Sequence, residues 1–350
     1  MAYTAYQKIS LHTNKYLLHD YIRRQRQQPL LYDSNNDQCH DNLTDDCLKV
    51  YGICDGLLCL SGLGNLLHLD PPIYLYNPSI RKGKKLMPPT RGFKSERPEL
   101  GFTSLCFGYH DDDYKVIKID AFSHRVWHKY RVCIYSLNDD SWKVIEIEVF
   151  AGTSKLTFWR CPRAKLVNGV VYFLQGHEVV SFDINHEIIR KVDKPEGIND
   201  ITGYIIMEEY GESIAIIGSS FPSYNNNGSS GLVMMVLKQI DDSYYWEKRF
   251  SYIQRKNSRG CQAMGGFING SELVIRSWDW VTSGYQRYEY SLLNVENGTQ
   301  QLFEISSEGQ ADEVFLRGIN IVTESLVLLN ETTMPPALFK WLQHPHLGNC

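Results

Sequence analysis

Cys39-His40, Cys47, Cys54 and Cys59 crowd into one stretch of the chain, and thiolate with imidazole is the donor set of a structural zinc site. Such a site takes its ligands in closely spaced pairs, and neither a Cys-x2-Cys nor a His-x3-His spacing occurs here. Cys54 and Cys59 fall instead in a strand-turn pattern, where cysteine packs as a small hydrophobe. Asp111-Asp112-Asp113 offers three carboxylates in a row, whereas a calcium loop sets its acids at alternate positions about an obligatory glycine. The run reads as a solvated turn. The chain has no Gly-x-Ser-x-Gly, no His-Glu-x-x-His and no phosphate-binding glycine loop. The expectation is a protein without catalytic residues, bound metal or cofactor.

A basic stretch remains: Arg81, Lys82, Lys84, Lys85, Arg91, Lys94 and Arg97, with Glu96 as its one acid. It reads as a contact for an anionic partner or as a solvated edge whose charges discourage pairing with another sheet. The whole molecule does not favour a polyanion. Its 36 Lys and Arg stand against 40 Asp and Glu, a net charge of -4, so no nucleic-acid partner is expected. With 43% hydrophobic, 12% aromatic and 22% charged residues over 350 positions, the chain can bury a large core, and disorder as its general state is excluded. The N-terminus carries no apolar signal segment, and apolar runs such as 232–237 fall far short of the ~18 residues that span a bilayer. No membrane partner is expected. Nine cysteines, an odd count, suit reduced thiols in the cytoplasm or nucleus.

The elements that must position any site are strands. Short runs rich in Val, Ile, Tyr and Phe alternate with Gly, Asn, Asp and Ser turns. One shape recurs: an apolar strand ending in an aromatic or Leu, a polar turn, then a second strand. Its register marks are Tyr76, Tyr135, Phe182, Leu237 and Leu293, spaced 59, 47, 55 and 56 residues apart. That is close to the ~50-residue period of a kelch blade, and the two further strands in each interval complete four per repeat. Five units fit between about Cys47 and Ile305. Strands at 15–21 and 28–33, joined to strands at 315–322 and 325–329, predict a sixth blade built from both chain ends. The expected fold is therefore an all-β, kelch-like β-propeller of six blades over residues 1–330, with seven as the less favoured count. Residues 331–350 read as a tail.

Ser136-Leu137-Asn138-Asp139-Asp140-Ser141-Trp142 is similar to the Asp-box of sialidase propellers, but it is one residue short and lacks the central glycine. No catalytic weight rests on it. More of the chain resembles the F-box-associated interaction domain of plant F-box/kelch-type proteins, the group that includes the S-locus F-box proteins. The matching segments are Gly52-Ile53-Cys54-Asp55-Gly56-Leu57-Leu58-Cys59-Leu60, Leu75-Tyr76-Asn77-Pro78-Ser79-Ile80-Arg81-Lys82, Phe107-Gly108-Tyr109 with Asp113-Tyr114-Lys115-Val116, Tyr135-Ser136-Leu137 with Ser141-Trp142, Val167-Asn168-Gly169-Val170-Val171-Tyr172 and Glu324-Ser325-Leu326-Val327.

The resemblance implies a protein-interaction module, the substrate-recognition part of an SCF-type ubiquitin ligase. Members of that family usually begin with a three-helix F-box that docks a Skp-type adaptor. This chain starts after that point, so no stable adaptor binding is expected. The family's Gly-Tyr-Asp-Pro turn is here Gly108-Tyr109-His110-Asp111, without the proline.

In a four-stranded antiparallel blade, the connections between strands one and two, and between three and four, share one side. Those between strands two and three, and between blades, share the other. The first set reads as tight at 109–113, 167–169, 210–212 and 269–270. The second reads as long at 61–72, 87–101, 121–130, 150–162, 219–230, 251–261 and 278–287. Long loops on a rigid scaffold concentrate binding residues. These loops carry Arg91, Phe93, Trp127, Trp159, Arg160, Tyr224, Trp278, Trp280, Tyr285 and Arg287, the residue types that anchor protein interfaces. They form the expected partner-binding face for a protein target. The rival expectation is a propeller enzyme acting on a glycan or small molecule at the central channel, which would place two or more carboxylates or a metal triad at one channel mouth.

Overall fold

The computed structural model describes residues 16–19, 48–62, 72–89, 99–123, 127–150, 164–175, 178–193, 195, 205–220, 231–240, 243–253, 260–268, 270–280, 286–303, 319–322, 327 and 329. The chain divides into two compact units, one of Met1–Val50, Asp55–Met87 and Ile305–Cys350, the other of Tyr51–Cys54 and Pro88–Glu304. In the first, β1 (Tyr16–His19) pairs antiparallel with β22 (Ile319–Val322), Tyr16 opposite Val322. The first blade follows, in the order β2 (Leu48–Cys54), β3 (Leu57–Gly62), β4 (Ile73–Asn77) and β5 (Lys82–Leu86). All five residues of β4 are buried, as its unbroken apolar run requires of a strand covered on both faces.

The second unit carries four more antiparallel sheets, each built from four consecutive strands. The second blade is β6 (Glu99–His110), β7 (Asp113–Ser123), β8 (Trp127–Ser136) and β9 (Ser141–Phe150). The third is β10 (Ala164–Val167), β11 (Val170–Gln175), β12 (Glu178–Asp183) and β13 (Ile188–Val192). The fourth is β14 (Ile205–Tyr210), β15 (Ser213–Ser220), β16 (Gly231–Ile240) and β17 (Ser243–Ile253). The fifth is β18 (Gly260–Ala263), β19 (Glu272–Trp280), β20 (Gln286–Asn294) and β21 (Gln300–Phe303). First strands meet across blades, β6 with β10 and β10 with β14, so the chain enters each of these blades at its inner edge and leaves at its outer one.

Five blades are therefore present among the described residues, not the six expected nor seven. Every blade draws its four strands from one continuous stretch. The chain ends do find each other, but as the two-stranded β1–β22 ladder, and Val327 and Leu329 lie outside any strand. The expected strand at 28–33 and the tail at 331–350 lie outside the described residues.

The inter-blade cores are apolar and continuous. Ile117, Ile119 and Val132 of the second blade pack with Val171, Phe173 and Phe182 of the third. Met234, Cys261 and Ile275 join the fourth and fifth. The five register marks, Tyr76, Tyr135, Phe182, Leu237 and Leu293, are all buried in the third strand of their blades, and all but Leu237 stand one residue from its end. In four blades the next residue caps the following turn. Asn77 accepts the Ser79 amide at 2.9 Å, and the Ser136 hydroxyl accepts that of Asp139 at 3.1 Å. Asp183 accepts the amides of Asn185 and His186, each at 2.9 Å, and Asn294 accepts those of Glu296 and Asn297 at 3.0 and 3.1 Å. A short acceptor that holds the backbone two and three residues on is what such turns need. In three of these turns the residue just before the fourth strand is left-handed, Arg81 (φ 57°), Asp140 (φ 50°) and Glu187 (φ 57°), and in the fifth blade it is Gly298 (φ 72°), one residue earlier.

Asp113 links two turns of the second blade. It accepts from Lys115 Nζ and from the Asn138 amide, both at 3.0 Å. Burial pushes its carboxyl up, but the hydrogen bonds from Ser136, Lys115 and Asn138 outweigh this and hold it below its ordinary value. A carboxyl lowered on folding stabilises the protein above its unfolded pKa of about 3.9, and that contribution is lost as pH falls through the folded value. Acid titration of denaturant unfolding should therefore show Asp113→Asn less stable than wild type at neutral pH, with the difference shrinking below about pH 4. A gap that stays constant down to acid would refute the linkage.

Candidate functional site

The turns between first and second strands are two-residue hairpins at Asp55-Gly56, Asp111-Asp112, Asn168-Gly169 and Gly211-Glu212. Asp111 and Asp112 are both left-handed (φ 52° and 54°), as are Asn168 and Gly169 (φ 49° and 77°), the twist that suits tight hairpins. In the second to fourth blades this side is tied blade to blade. His110 Nε2 lies 3.3 Å from Asn185 Oδ1, Lys143 pairs with Glu187, and Asn168 Nδ2 donates to the Glu212 carbonyl at 3.0 Å. Gly169 faces the His110 ring so closely that an added Cβ would sit 2.5 Å from it.

The opposite side carries the longer connections. Between blades the chain runs through 87–98, 151–163, 193–204 and 254–259, and within blades through 63–72, 221–230 and 281–285. Two segments expected to be long are not. The expected loop at 121–130 shrinks to 124–126, because β7 continues to Ser123 and β8 starts at Trp127, opposite Phe150. The expected loop at 278–287 is largely strand: Trp278 and Trp280 end β19, and Arg287 lies in β20 opposite Asp279. Alternating aromatic and charged residues suit a strand as well as a loop, and pairing with the neighbouring strand decides between them.

Of the ten expected anchors, Trp278 has the side-chain environment the structure describes. It is half-buried, its indole lies over Gly260, and the Arg276 guanidinium sits 5.7 Å from its ring centroid. Arg276 Nη2 in turn donates to Gln262 Oε1 at 2.8 Å. This tryptophan packs its own blade, an arrangement that shields a glycine-bearing edge. The side chains of Trp127, Trp280 and Arg287, and the whole of Arg91, Phe93, Trp159, Arg160, Tyr224 and Tyr285, lie outside the described residues.

The other candidate chemistry resolves into structure. Cys59 and Cys106 are buried, and desolvation pushes the Cys106 thiol up to about 12 against the opposing charge of Lys165, so it is a protonated core residue at neutral pH. Cys39, His40 and Cys47 lie outside the described residues; among those described, no group of three or more His, Cys, Asp or Glu is placed to hold a metal. In the segment 136–142, Tyr135 Oη donates to Asp140 Oδ1 at 2.5 Å and its ring tilts against Trp142 at 5.2 Å, which makes the segment a hairpin brace. Burial first, then the bond to Asp140, pushes the Tyr135 phenol up. No helix among the described residues is long and apolar enough to cross a membrane.

One buried ion pair and one half-buried one were not legible in the sequence. Lys118 Nζ lies 2.6 Å from Asp120 Oδ2 inside the second blade, and Thr103 Oγ1 donates to Asp120 Oδ1 at 2.6 Å. Lys165 on β10 pairs with Glu208 on β14, joining two inner strands.

A family model described as an F-box associated beta propeller domain matches residues 10–324. No curated protein matches the chain. Among solved structures, the chain is similar to YjhT at 12% identity and a TM-score of 0.41, covering 87% of this chain and 98% of that one. It is also similar to the β-propeller domain of the Trilobed protease from Pyrococcus furiosus, at 12% identity and TM-score 0.41, covering 78% and 81%. A third is sucrose-6-phosphate hydrolase from Lactobacillus gasseri, at 10% identity and TM-score 0.36, covering 73% of this chain and 60% of that one.

Proposed function

Because the chain belongs to the F-box associated β-propeller family, we propose that it is a protein-interaction module that captures a protein target and acts by binding rather than by catalysis. In this reading the target is a substrate presented to an SCF-type ubiquitin ligase, and the long-connection side of the blades is the docking face. The observation that carries it is the division of labour within the blades. One side is closed by short turns knitted together through His110, Asn168 and Lys143, and the other holds the long connections with most of the anchor-type residues. A braced base under long loops is the arrangement that lets loops vary while the scaffold stays fixed.

The test begins with affinity purification from native tissue to identify the target, followed by titration of the purified target. Trp159→Ala and Trp280→Ala should each weaken binding by ~2 kcal/mol or more while leaving the melting transition nearly unchanged. The tight-turn variant Glu212→Ala should bind as wild type. If the turn variant abolishes capture and the tryptophan variants do not, the face is assigned to the wrong side. Turnover of a glycan or small molecule by the purified chain would overturn the binding reading itself.

A further inference from the structure

We propose that the outer backbone edge of β9, the last strand of the second blade, docks an extended protein segment in which apolar residues alternate with Lys or Arg. β9 is last in the order β6-β7-β8-β9, and among the described residues no backbone hydrogen bond joins it to anything but β8. The direction of its backbone groups follows from the neighbouring pair. The Leu137 amide donates to the Tyr114 carbonyl at 3.0 Å, so, counting back along β8, Tyr135 and Cys133 turn their backbone groups toward β7. Ser136, Ile134 and Val132 turn theirs toward β9, where they stand opposite Ser141, Lys143 and Ile145. The residues between these on β9 therefore point their N–H and C=O groups outward: Trp142, Val144, Glu146 and Glu148.

The other outer strands are shorter or broken. β5 and β13 have five residues and β21 four, while β17 carries a register shift that leaves Arg249 out of the ladder. Short strands and bulges are how sheets close their edges to added strands. β9 instead runs ten residues in unbroken register without a proline. Its charged side chains are held on the faces of the blade, Lys143 by Glu187, and Glu146 and Glu148 by Lys129 at 2.8 and 3.9 Å, which leaves the backbone edge clear. The two faces set the sequence of the partner. On one, Ile145, Ile147 and Val149 are half-buried against the core shared with the third blade, and apolar side chains of an added strand would cover them. On the other, Val144 is 41% exposed and two carboxylates share the one Lys129 ammonium, within a blade of nine carboxylates against five Lys and Arg. Basic residues are favoured there. A second copy of β9 is not, because antiparallel pairing about a two-fold axis puts Glu146 and Glu148 of both copies on the same face.

The full chain should be titrated by fluorescence anisotropy against a labelled peptide of alternating Val and Lys, ten residues long to match β9. The Val-Lys peptide should bind, and its Val-Glu counterpart at least about tenfold more weakly. Lysines on the carboxylate face lie opposite Val144 and Glu146, so their backbone amides are the ones that meet β9. Methylating the lysine backbone amides should therefore weaken binding at least about tenfold, whereas methylating those of the valines should not. Val144→Pro removes one outward N–H and no bond to β8, so it should weaken binding to a similar degree with the melting transition nearly unchanged. The methylated peptides probe the same bonds without altering the protein. Absence of Val-Lys binding, equal binding by the Lys-methylated peptide or by Val144→Pro, tighter binding of the Val-Glu peptide, or a dimer of the chain that Val144→Pro dissociates would each overturn the proposal.

Discussion

Asp120→Ala should cost about 3–5 kcal/mol of unfolding free energy, because it leaves the Lys118 ammonium buried without its carboxylate. Asp120 is fully buried and the Lys118 side chain is 4% exposed, so neither charge recovers hydration in the folded state. The loss should exceed that of removing an exposed pair such as Lys191 with Glu178, where about 1 kcal/mol or less is at stake. The double replacement Lys118→Met with Asp120→Leu separates two explanations. If the single-variant loss is mainly the stranded charge, the double variant regains most of it, since a buried pair is often no more stabilising than apolar residues of similar volume. Urea unfolding of the three proteins measures this. A single variant within about 1 kcal/mol of wild type would show that Lys118 finds water or another partner.

Gly52→Val should be nearly as damaging, at about 3 kcal/mol. A Cβ at Gly52 would lie 2.9 Å from the Phe107 Cβ, 3.0 Å from its carbonyl oxygen and 3.1 Å from its amide nitrogen. Two of those three atoms are backbone, so the strand must move rather than a flexible side chain. It follows that Phe107→Ala, which keeps both the backbone and the Cβ, should not rescue Gly52→Val. Thermal unfolding of the single and double variants decides it. Rescue by the alanine would mean that the ring, not the strand, sets the spacing.

Much of the fold was legible in the sequence because its signals are local. Alternation within a strand, the interval between Tyr76 and Leu293, and the Asx residues that close hairpins depend on neighbours a few positions away. The structure bears them out in buried register marks and capped turns. Gly52 and Gly56 were read together as permitting left-handed backbone and close approach. They divide that work, Gly56 taking φ 77° in the hairpin and Gly52 the close contact with Phe107.

What only the tertiary structure decided lies in long-range pairing and burial. The blade count turned on what the two chain ends form when they meet, and no local pattern encodes whether β1 and β22 make a ladder or complete a blade. The candidate face shifted for the same reason: Trp127 and Trp278 lie in residue runs that serve loop or strand alike, and hydrogen bonding to β7, β9 and β20 drew them into strands. Lys118 and Asp120 show the limit most plainly. In Val116-Ile117-Lys118-Ile119-Asp120 the charged positions alternate with apolar ones, as on a strand with one wet face. Alternation reports which residues share a face but not what covers that face, and here both charges are buried and bonded to each other.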